Sequence, residues 1–209
     1  MFYFKIYKVK ATYYRMERKV YTEINEIINP EHTALIIWDV QKMLVNNIYN
    51  KEEFLKNINK LIETARGKGI PLFFTKITPL PREFEAPARK YSSSKMKFNL
   101  SQLSKEMFDL AIEPKENEII LNKNTASIFI GTNFELMCRN AGIETLIISG
   151  IATEIGVEST ARDAANRGFY VVVDSDASSS SDKEAHERSL QNMKKLFDVV
   201  PTKDIIKAL

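Results

Sequence analysis

The sequence predicts a doubly wound α/β domain, in which a parallel sheet of about six strands carries helices on both faces. Short β-branched runs alternate with segments of helical periodicity along the chain, as they do where crossover helices join parallel strands. The first run, residues 34–38, is apolar at every position, which is typical of a strand covered on both faces. A chain of 209 residues can build one domain around one large core.

The elements follow in order from these patterns. The predicted strands are residues 34–38, 70–75, 118–121, 145–149, 169–173 and 197–200. The helix after the first strand ends at Gly67 and Gly69, and its inner residues at helical spacing are Phe54, Leu55, Ile58, Leu61, Ile62 and Ala65. The helix after the third strand has an inward stripe of Phe134, Met137, Cys138 and Ala141. A further helix is expected from about Gly156.

The last helices and the longest connection complete the prediction. Ser181 and Asp182 form the N-cap of a final long helix, whose inward residues are Leu190, Met193, Leu196 and Phe197. Residues 202–209 form a short terminal helix. The irregular residues 79–87 and the serine-lysine mix of 91–98 indicate a lid or substrate loop. Its basic residues either form a solvated surface or recruit an anionic substrate; they are Arg82, Arg89, Lys90, Lys95 and Lys97.

Composition excludes several classes of protein. The net charge of +3, from 30 basic and 27 acidic residues, is too balanced to indicate nucleic-acid binding. One cysteine cannot build a disulfide framework, and neither a signal peptide nor a membrane-spanning run is evident. We therefore expect a soluble cytoplasmic protein. Residues 1–30 form an N-terminal extension, which packs either on the domain of residues 31–209 or on a partner subunit.

Three residues mark the predicted site. Asp39, Lys123 and Gly156 each lie at or just past the carboxyl end of a predicted parallel strand, the edge where ligands bind in open α/β sheets. An aspartate directly after an apolar strand is desolvated, which raises its pKa, whereas a nearby lysine lowers it again. Gly156 has no side chain and is expected to leave room for substrate or water.

Residues 150–164 resemble a signature of the isochorismatase-like hydrolase superfamily, Gly-x-x-Thr-x-x-Cys-Val-x-x-Thr-Ala-x-Asp-Ala. The matching residues are Gly150, Thr153, Val157, Thr160, Ala161, Asp163 and Ala164. Gly156 stands at the position of the family's cysteine nucleophile, where true isochorismatases also have glycine. Residues 33–41 resemble the first strand with its Asp-x-Gln signature, which contains Asp39 and Gln41. Residues 118–123 resemble the segment that carries the family lysine, here Lys123.

The resemblance implies further properties of the fold and the site. The strand order would be 3-2-1-4-5-6, and the chain would assemble into dimers or larger oligomers. Gln41, Ile151, Ala152 and Thr153 would line the substrate site. A cis peptide bond at Ile151–Ala152 would turn the N–H groups of Ala152 and Gly156 inward as an oxyanion pocket. No cofactor is implied. Residues 70–98 contain neither histidine nor aspartate, which disfavours the zinc site of nicotinamidases.

The leading functional hypothesis is hydrolysis of an isochorismate-like vinyl ether without a covalent intermediate. Asp39 would be the proton donor, and Lys123 would orient or neutralise a substrate carboxylate. The expected effect of Asp39→Asn is a loss of about 10²-fold or more in turnover, with the fold almost unaffected. The segment after the second strand, residues 75–79, lacks the glutamine of true isochorismatases.

Two alternatives therefore remain. One is a non-catalytic family member that binds a metabolite or serves as an oligomeric scaffold. The other is a C–N hydrolase with a substitute nucleophile. Cys138, on the inner stripe of its helix, is expected to be a packing residue and not that nucleophile.

Overall fold

A computed structural model describes residues 19–78, 80–95 and 104–209, without the side chains of Arg82 and Ser93. Its centre is a six-stranded sheet in which every neighbouring pair of strands is parallel. The strands are β1 (Thr33–Trp38), β2 (Leu72–Ile77), β3 (Ile119–Lys123), β4 (Thr145–Ile151), β5 (Tyr170–Ser179) and β6 (Asp198–Val200). Their order is β3-β2-β1-β4-β5-β6, which confirms the predicted fold class and topology.

Helices connect and cover these strands. They are α1 (Ile24–Ile27), α2 (Lys42–Val45), α3 (Lys51–Gly67), α4 (Pro87–Lys95), α5 (Phe134–Asn140), α6 (Glu158–Asn166), α7 (Lys183–Met193) and α8 (Thr202–Ala208). Short 3₁₀ turns occupy Pro30–His32, Arg82–Phe84 and Lys105–Phe108. None of the helices in the described part of the chain combines the length and the apolar composition needed to cross a membrane.

Two apolar layers enclose β1, because successive side chains of a strand point to opposite faces. Leu35 and Ile37 pack into a core that includes the inner residues of α3. Ala34, Ile36 and Trp38 pack into a second core on the other face, which includes residues of α5 and α6. This double cover explains why the β1 sequence is apolar without alternation, as predicted.

The predicted helix boundaries hold in part. Asp182 is the N-cap of α7, since its carboxylate accepts a hydrogen bond from the Ala185 N–H. The prediction that Leu196 points inward is wrong, because α7 ends at Met193 and Leu196 is 62% exposed. In the predicted irregular connection, α4 covers residues 87–95; residues 96–98 of that prediction lie outside the described residues.

The described part of the N-terminal extension packs on the domain itself. Ile28 is fully buried, and the Thr145 hydroxyl donates a hydrogen bond to the Ile27 carbonyl oxygen. The Tyr21 N–H donates to the Tyr170 hydroxyl at 3.0 Å. Residues 19–30 therefore contact the starts of β4 and β5, at the opposite end of the strands from the predicted site.

Candidate active site

A buried polar pair lies at the carboxyl edge of the sheet. Asp39 directly follows β1 and Lys123 is the last residue of β3, and they are 2% and 3% exposed. The Lys123 Nζ lies 2.6 Å from Asp39 Oδ2. It also donates to the Thr125 carbonyl oxygen at 3.2 Å. The structure thus brings together two of the three predicted central residues in direct contact.

Thr75 on β2, the strand between β1 and β3, completes this network. Its hydroxyl donates to Asp39 Oδ1 at 2.5 Å and accepts from the Asp39 N–H at 2.9 Å. Sequence analysis did not assign Thr75 to the site. The feature that could have indicated it is a hydroxyl residue directly after the apolar residues Leu72–Phe74 of the strand next to β1.

Burial dominates the electrostatics of the pair. It raises the pKa of the Asp39 carboxyl, against the opposing effects of the Lys123 charge and of hydrogen bonds from Lys123 and Thr75. Burial likewise lowers the pKa of the Lys123 ammonium, against the attraction of Asp39, while the Arg89 charge lowers it further. The two pKa values approach each other, so protonating the carboxyl costs less here than on an exposed aspartate.

The Asp39 backbone adopts an uncommon conformation. Its φ of 47° is the only positive value among the non-glycine residues that the structure describes. Aspartate tolerates this left-handed region better than most residues, but the conformation still costs free energy and occurs preferentially at functional sites. The turn places the carboxyl between Thr75 and Lys123 directly after the strand ends.

Gly156 lies in a π-helical turn, Thr153–Val157, that leads from β4 into α6. The Ile151–Ala152 peptide bond before this turn is cis. A Cβ atom at position 156 would lie 1.7 Å from Trp38 Nε1. The prediction that Gly156 leaves room for substrate or water is therefore wrong, because the Trp38 indole occupies the space beside it.

The predicted oxyanion pocket is also altered. The Gly156 N–H donates to the Ala152 carbonyl oxygen at 3.0 Å, and the Ile155 and Val157 N–H groups point to the same oxygen. The Gly156 N–H is therefore already used within the turn. The geometry does not support the prediction that this N–H faces a substrate oxygen.

Trp38 connects the parts of the site, although sequence analysis treated it only as a strand residue. The Lys123 Nζ lies 3.9 Å from the centroid of its ring, a distance typical of a cation–π contact. Gly150, which pairs with Trp38 across β1 and β4, has φ 124° and no space for a Cβ atom against the Trp38 backbone. The feature that could have indicated this role is a bulky residue at the end of β1 together with a glycine near the end of β4, the strand that pairs with it.

The remaining predicted site residues have different surroundings. Gln41 is fully buried, and its amide bonds the Ile77 N–H, the Ile77 carbonyl and the Phe108 carbonyl. The prediction that Gln41 binds substrate is not supported, because its amide is used to join the start of α2 to the end of β2 and to the 3₁₀ turn Lys105–Phe108. Ile151 is buried, Ala152 is partly exposed, and Arg89 of α4 is partly exposed and acts electrostatically on Lys123. The Arg82 side chain lies outside the described residues.

Thr153 contacts His186, a residue that sequence analysis did not assign to the site. The buried Thr153 hydroxyl lies 2.7 Å from His186 Nδ1 and donates to the Ser179 carbonyl oxygen at 3.1 Å. His186 is 4% exposed, and burial lowers its pKa. These bonds join the π-helical turn to β5 and α7, so they support the turn.

Cys138 has the predicted packing role, since it is fully buried in α5. Burial raises the pKa of its thiol to about 12. Such a thiol carries almost no thiolate at neutral pH and is a poor nucleophile. Among the described residues, no group of three or more His, Cys, Asp or Glu side chains is arranged to hold a metal ion.

The sheet is that of a doubly wound α/β protein. Its buried Asp39–Lys123 pair lies beside the strand-order reversal at β1 and β4, where such folds bind ligands. The chain belongs to the isochorismatase family of hydrolases, because residues 33–204 match the Isochorismatase domain.

Individual relatives agree with this assignment. The isochorismatase family protein YwoC of Bacillus subtilis (strain 168) is 31% identical over 170 residues, 78% of this chain and 86% of that protein. The ureidoacrylate amidohydrolase RutB of Pseudomonas syringae pv. syringae (strain B728a) is 27% identical over 203 residues, 85% of this chain and 83% of that protein. A cysteine hydrolase structure from Pseudomonas syringae pv. phaseolicola 1448A shares the fold, with a TM-score of 0.79, 20% identity and coverage of 92% and 98%.

Proposed function

We propose that this chain hydrolyses a small anionic substrate without forming a covalent bond to it, with Asp39 as the acid–base group. The observation that carries the proposal is the buried Asp39–Lys123–Thr75 network. It contains a carboxyl whose pKa burial raises, as a proton donor near neutral pH requires. Cys138 is the one cysteine of the sequence. Its thiol is buried in the core and its pKa is raised, so it supplies no nucleophile.

The substrate that best fits a proton donor without a nucleophile is an isochorismate-like vinyl ether. Protonated Asp39 adds its proton to the terminal vinyl carbon, which leaves an oxocarbenium ion. Water attacks the neighbouring carbon, which bears the ether oxygen, and gives a hemiketal. The Asp39 carboxylate takes up the proton that the attacking water loses. The hemiketal then breaks its C–O bond to the ring, and the proton of its hydroxyl passes to the leaving oxygen, so that pyruvate and a dihydrodiol are released. Lys123 would face a substrate carboxylate. The positive charge of Arg89 acts on Lys123, and it would favour binding of an anion next to Lys123.

A second candidate is hydrolysis of a C–N bond, which the ureidoacrylate amidohydrolase among the relatives favours. Here the Asp39 carboxylate would remove a proton from water, and that water would attack the carbonyl carbon directly. The candidate is weakened by the Gly156 N–H, which already bonds the Ala152 carbonyl and is therefore not a free donor for a developing oxyanion.

A third candidate, a non-catalytic binding protein, is favoured by the Trp38 indole. This ring fills the space beside Gly156, and both Asp39 and Lys123 are almost fully buried. Under this proposal the site would bind a metabolite, or the chain would act as a scaffold, without turnover.

Product analysis distinguishes these candidates. The full chain is incubated separately with isochorismate and with ureidoacrylate, and pyruvate and ammonia are measured with coupled assays. Pyruvate release that Asp39→Asn abolishes supports the leading proposal. Ammonia release without pyruvate release supports C–N hydrolysis and overturns it. Binding of isochorismate by calorimetry without either product would favour the non-catalytic candidate.

A further inference from the structure

Trp38 and Gly156 fit together as a pair of unequal size. The Trp38 side chain is 2% exposed and lies in the apolar core that also contains Val157 and Ala161 of the facing segment. A Cβ atom built on Gly156 would lie 1.7, 2.1 and 2.6 Å from three ring atoms of the indole. Distances below about 3 Å are not tolerated between such atoms, so the ring and any side chain at position 156 exclude each other.

The same ring adjoins both the polar pair and position 156. Lys123 Nζ lies 3.9 Å from the ring centroid and 2.6 Å from the Asp39 carboxylate. Gly156 adjoins the same ring at the atoms Nε1, Cε2 and Cζ2. A side chain at position 156, in the turn before the nine-residue helix α6, would need the volume that the indole already occupies.

We infer that Trp38 is the residue that closes this site to a nucleophile carried by the protein, because its indole takes the volume of any side chain at position 156. Trp38 and Gly156 must then be exchanged together before a side chain at position 156 can reach Lys123. The inference deepens the proposed function, since it names the residue that restricts the Asp39–Lys123 site to chemistry without a covalent intermediate.

The first test is steric and uses melting temperature. Gly156→Ala should lower the melting temperature by at least about 5 °C, because the new methyl group displaces a buried ring. The matched control is Gly67→Ala, since a Cβ atom there meets nothing within 4 Å and should leave the melting temperature unchanged or higher. Trp38→Val should also be destabilising, whereas Trp38→Val combined with Gly156→Ala should be less destabilised than the sum of the two.

The second test is chemical and uses iodoacetamide in a Cys138→Ala background. A cysteine introduced by Gly156→Cys together with Trp38→Val would lie at the helix start beside Lys123, where the thiol pKa falls below about 8.5. The thiol loses its proton, and the thiolate sulfur then forms a bond to carbon as iodide leaves. We expect the midpoint of the labelling rate against pH to lie at least about one unit below 8.5.

Two further variants test whether Lys123 lowers the pKa of the introduced thiol. Adding Lys123→Met should move the labelling midpoint back toward higher pH, whereas adding Lys76→Met, a lysine on β2 that pairs with Asp109, should not. If Trp38→Val with Gly156→Cys is too unstable to fold, Trp38→Leu with Gly156→Cys replaces it.

The inference is overturned if Gly156→Ala is as stable as Gly67→Ala, if the stability effects at positions 38 and 156 simply add, or if the introduced thiol titrates near 8.5 with and without Lys123. Neither readout uses turnover. Failure of the proposed function, a lack of hydrolysis, is therefore distinguishable from failure of the inference.

Discussion

Asp39 carries two unfavourable features at one residue. Its carboxyl is removed from water beside Lys123, and desolvation of a buried ion pair costs several kcal/mol per ion, so the pair is weak evidence for stability. Its backbone also has φ 47°, a conformation that costs about 1–3 kcal/mol. A residue that combines both costs at the carboxyl edge of the sheet is better explained by chemistry than by packing.

The ion pair predicts a specific pattern of stabilities. Asp39→Asn should lower the free energy of unfolding by about 3–5 kcal/mol, because it leaves the Lys123 ammonium buried without a counter-charge. The burial of Asp39 thus revises the sequence-based expectation that this variant leaves the fold almost unaffected. Asp39→Asn with Lys123→Met removes both charges and should be more stable than Asp39→Asn alone. Urea denaturation measures all variants, and a double variant no more stable than Asp39→Asn would contradict the coupling.

The burial of Cys138 predicts that its thiol does not react in the folded protein. Because the Cys138 thiol is buried and its pKa is raised to about 12, iodoacetamide at pH 8 should not label the folded protein. The same reagent should label one thiol per chain after denaturation. Mass spectrometry counts the adducts, and loss of hydrolysis on labelling of the folded protein would show that Cys138 is involved after all.

For single residues, the sequence predicted where the polar side chains of the site lie better than it predicted which residues surround them. The placement of Asp39 and Lys123 follows from parallel topology, since strand ends meet at one edge of the sheet. The roles of Trp38 and Thr75 depend on which strands are neighbours and on the space above them. Whether Gly156 opens a space or accommodates a ring is decided by a residue more than a hundred positions away, and no local pattern contains that information.

Among the elements, the extension of β5 is the clearest departure from the prediction. The strand was expected at residues 169–173 but continues to Ser179, where it pairs with Gly150 and Ile151 of β4 after a register shift. Asp174 stabilises the middle of this strand: its carboxylate accepts hydrogen bonds from the Asp176 and Ala177 N–H groups and from the Thr202 hydroxyl of α8. Local polarity at residues 174–176 concealed the continuation.

Asp174 predicts a pH dependence of stability. Burial raises the pKa of its carboxyl to about 6 in the folded protein, above the value of about 3.9 in an unfolded chain. The folded state therefore binds more protons between these values, and stability falls as pH rises through this window, by about 3 kcal/mol in all. Urea denaturation from pH 4 to 7 should show this fall in the wild type relative to Asp174→Asn. Parallel curves for the two proteins would rule out the assignment.

The other elements show what pattern reasoning captures. The strong helical periodicity of α3 and the Asp182 cap of α7 gave correct positions. The helix α4 (Pro87–Lys95) was missed because its described side chains are mostly exposed, so no apolar stripe marks it. Proline at its first position was the remaining signal. Exposed helices of this kind follow from capping and propensity, which are weaker indicators than burial.

The whole molecule places its buried polar pair beside the reversal of strand order, between β1 and β4. Trp38 of β1 lies opposite Gly150 of β4 at this point. Open α/β sheets bind ligands outside the carboxyl ends of strands at such a reversal. The topology was predicted from the resemblance to a family, and the family match over residues 33–204 agrees with it.

We further propose that the chain forms a homodimer or a larger homo-oligomer. Several large apolar side chains remain exposed in the single chain, including Ile120 on the edge strand β3 and Leu136 on α5. Exposed apolar surface of this kind is typical of interfaces when it is contiguous. Sedimentation velocity should give at least twice the chain mass of 24.0 kDa, whereas a single 24.0 kDa species at micromolar concentration would contradict this proposal.

The rate of pyruvate release from isochorismate, compared between the wild type and Asp39→Asn, tests the central claim most directly. Both proteins are first shown by circular dichroism to be folded at the assay temperature, because Asp39→Asn is expected to be less stable. The account predicts measurable release by the wild type and a loss of at least about 10²-fold in the variant, since the amide cannot donate the required proton. Release by Asp39→Asn within a few-fold of the wild type, or no release by the folded wild type, would contradict it.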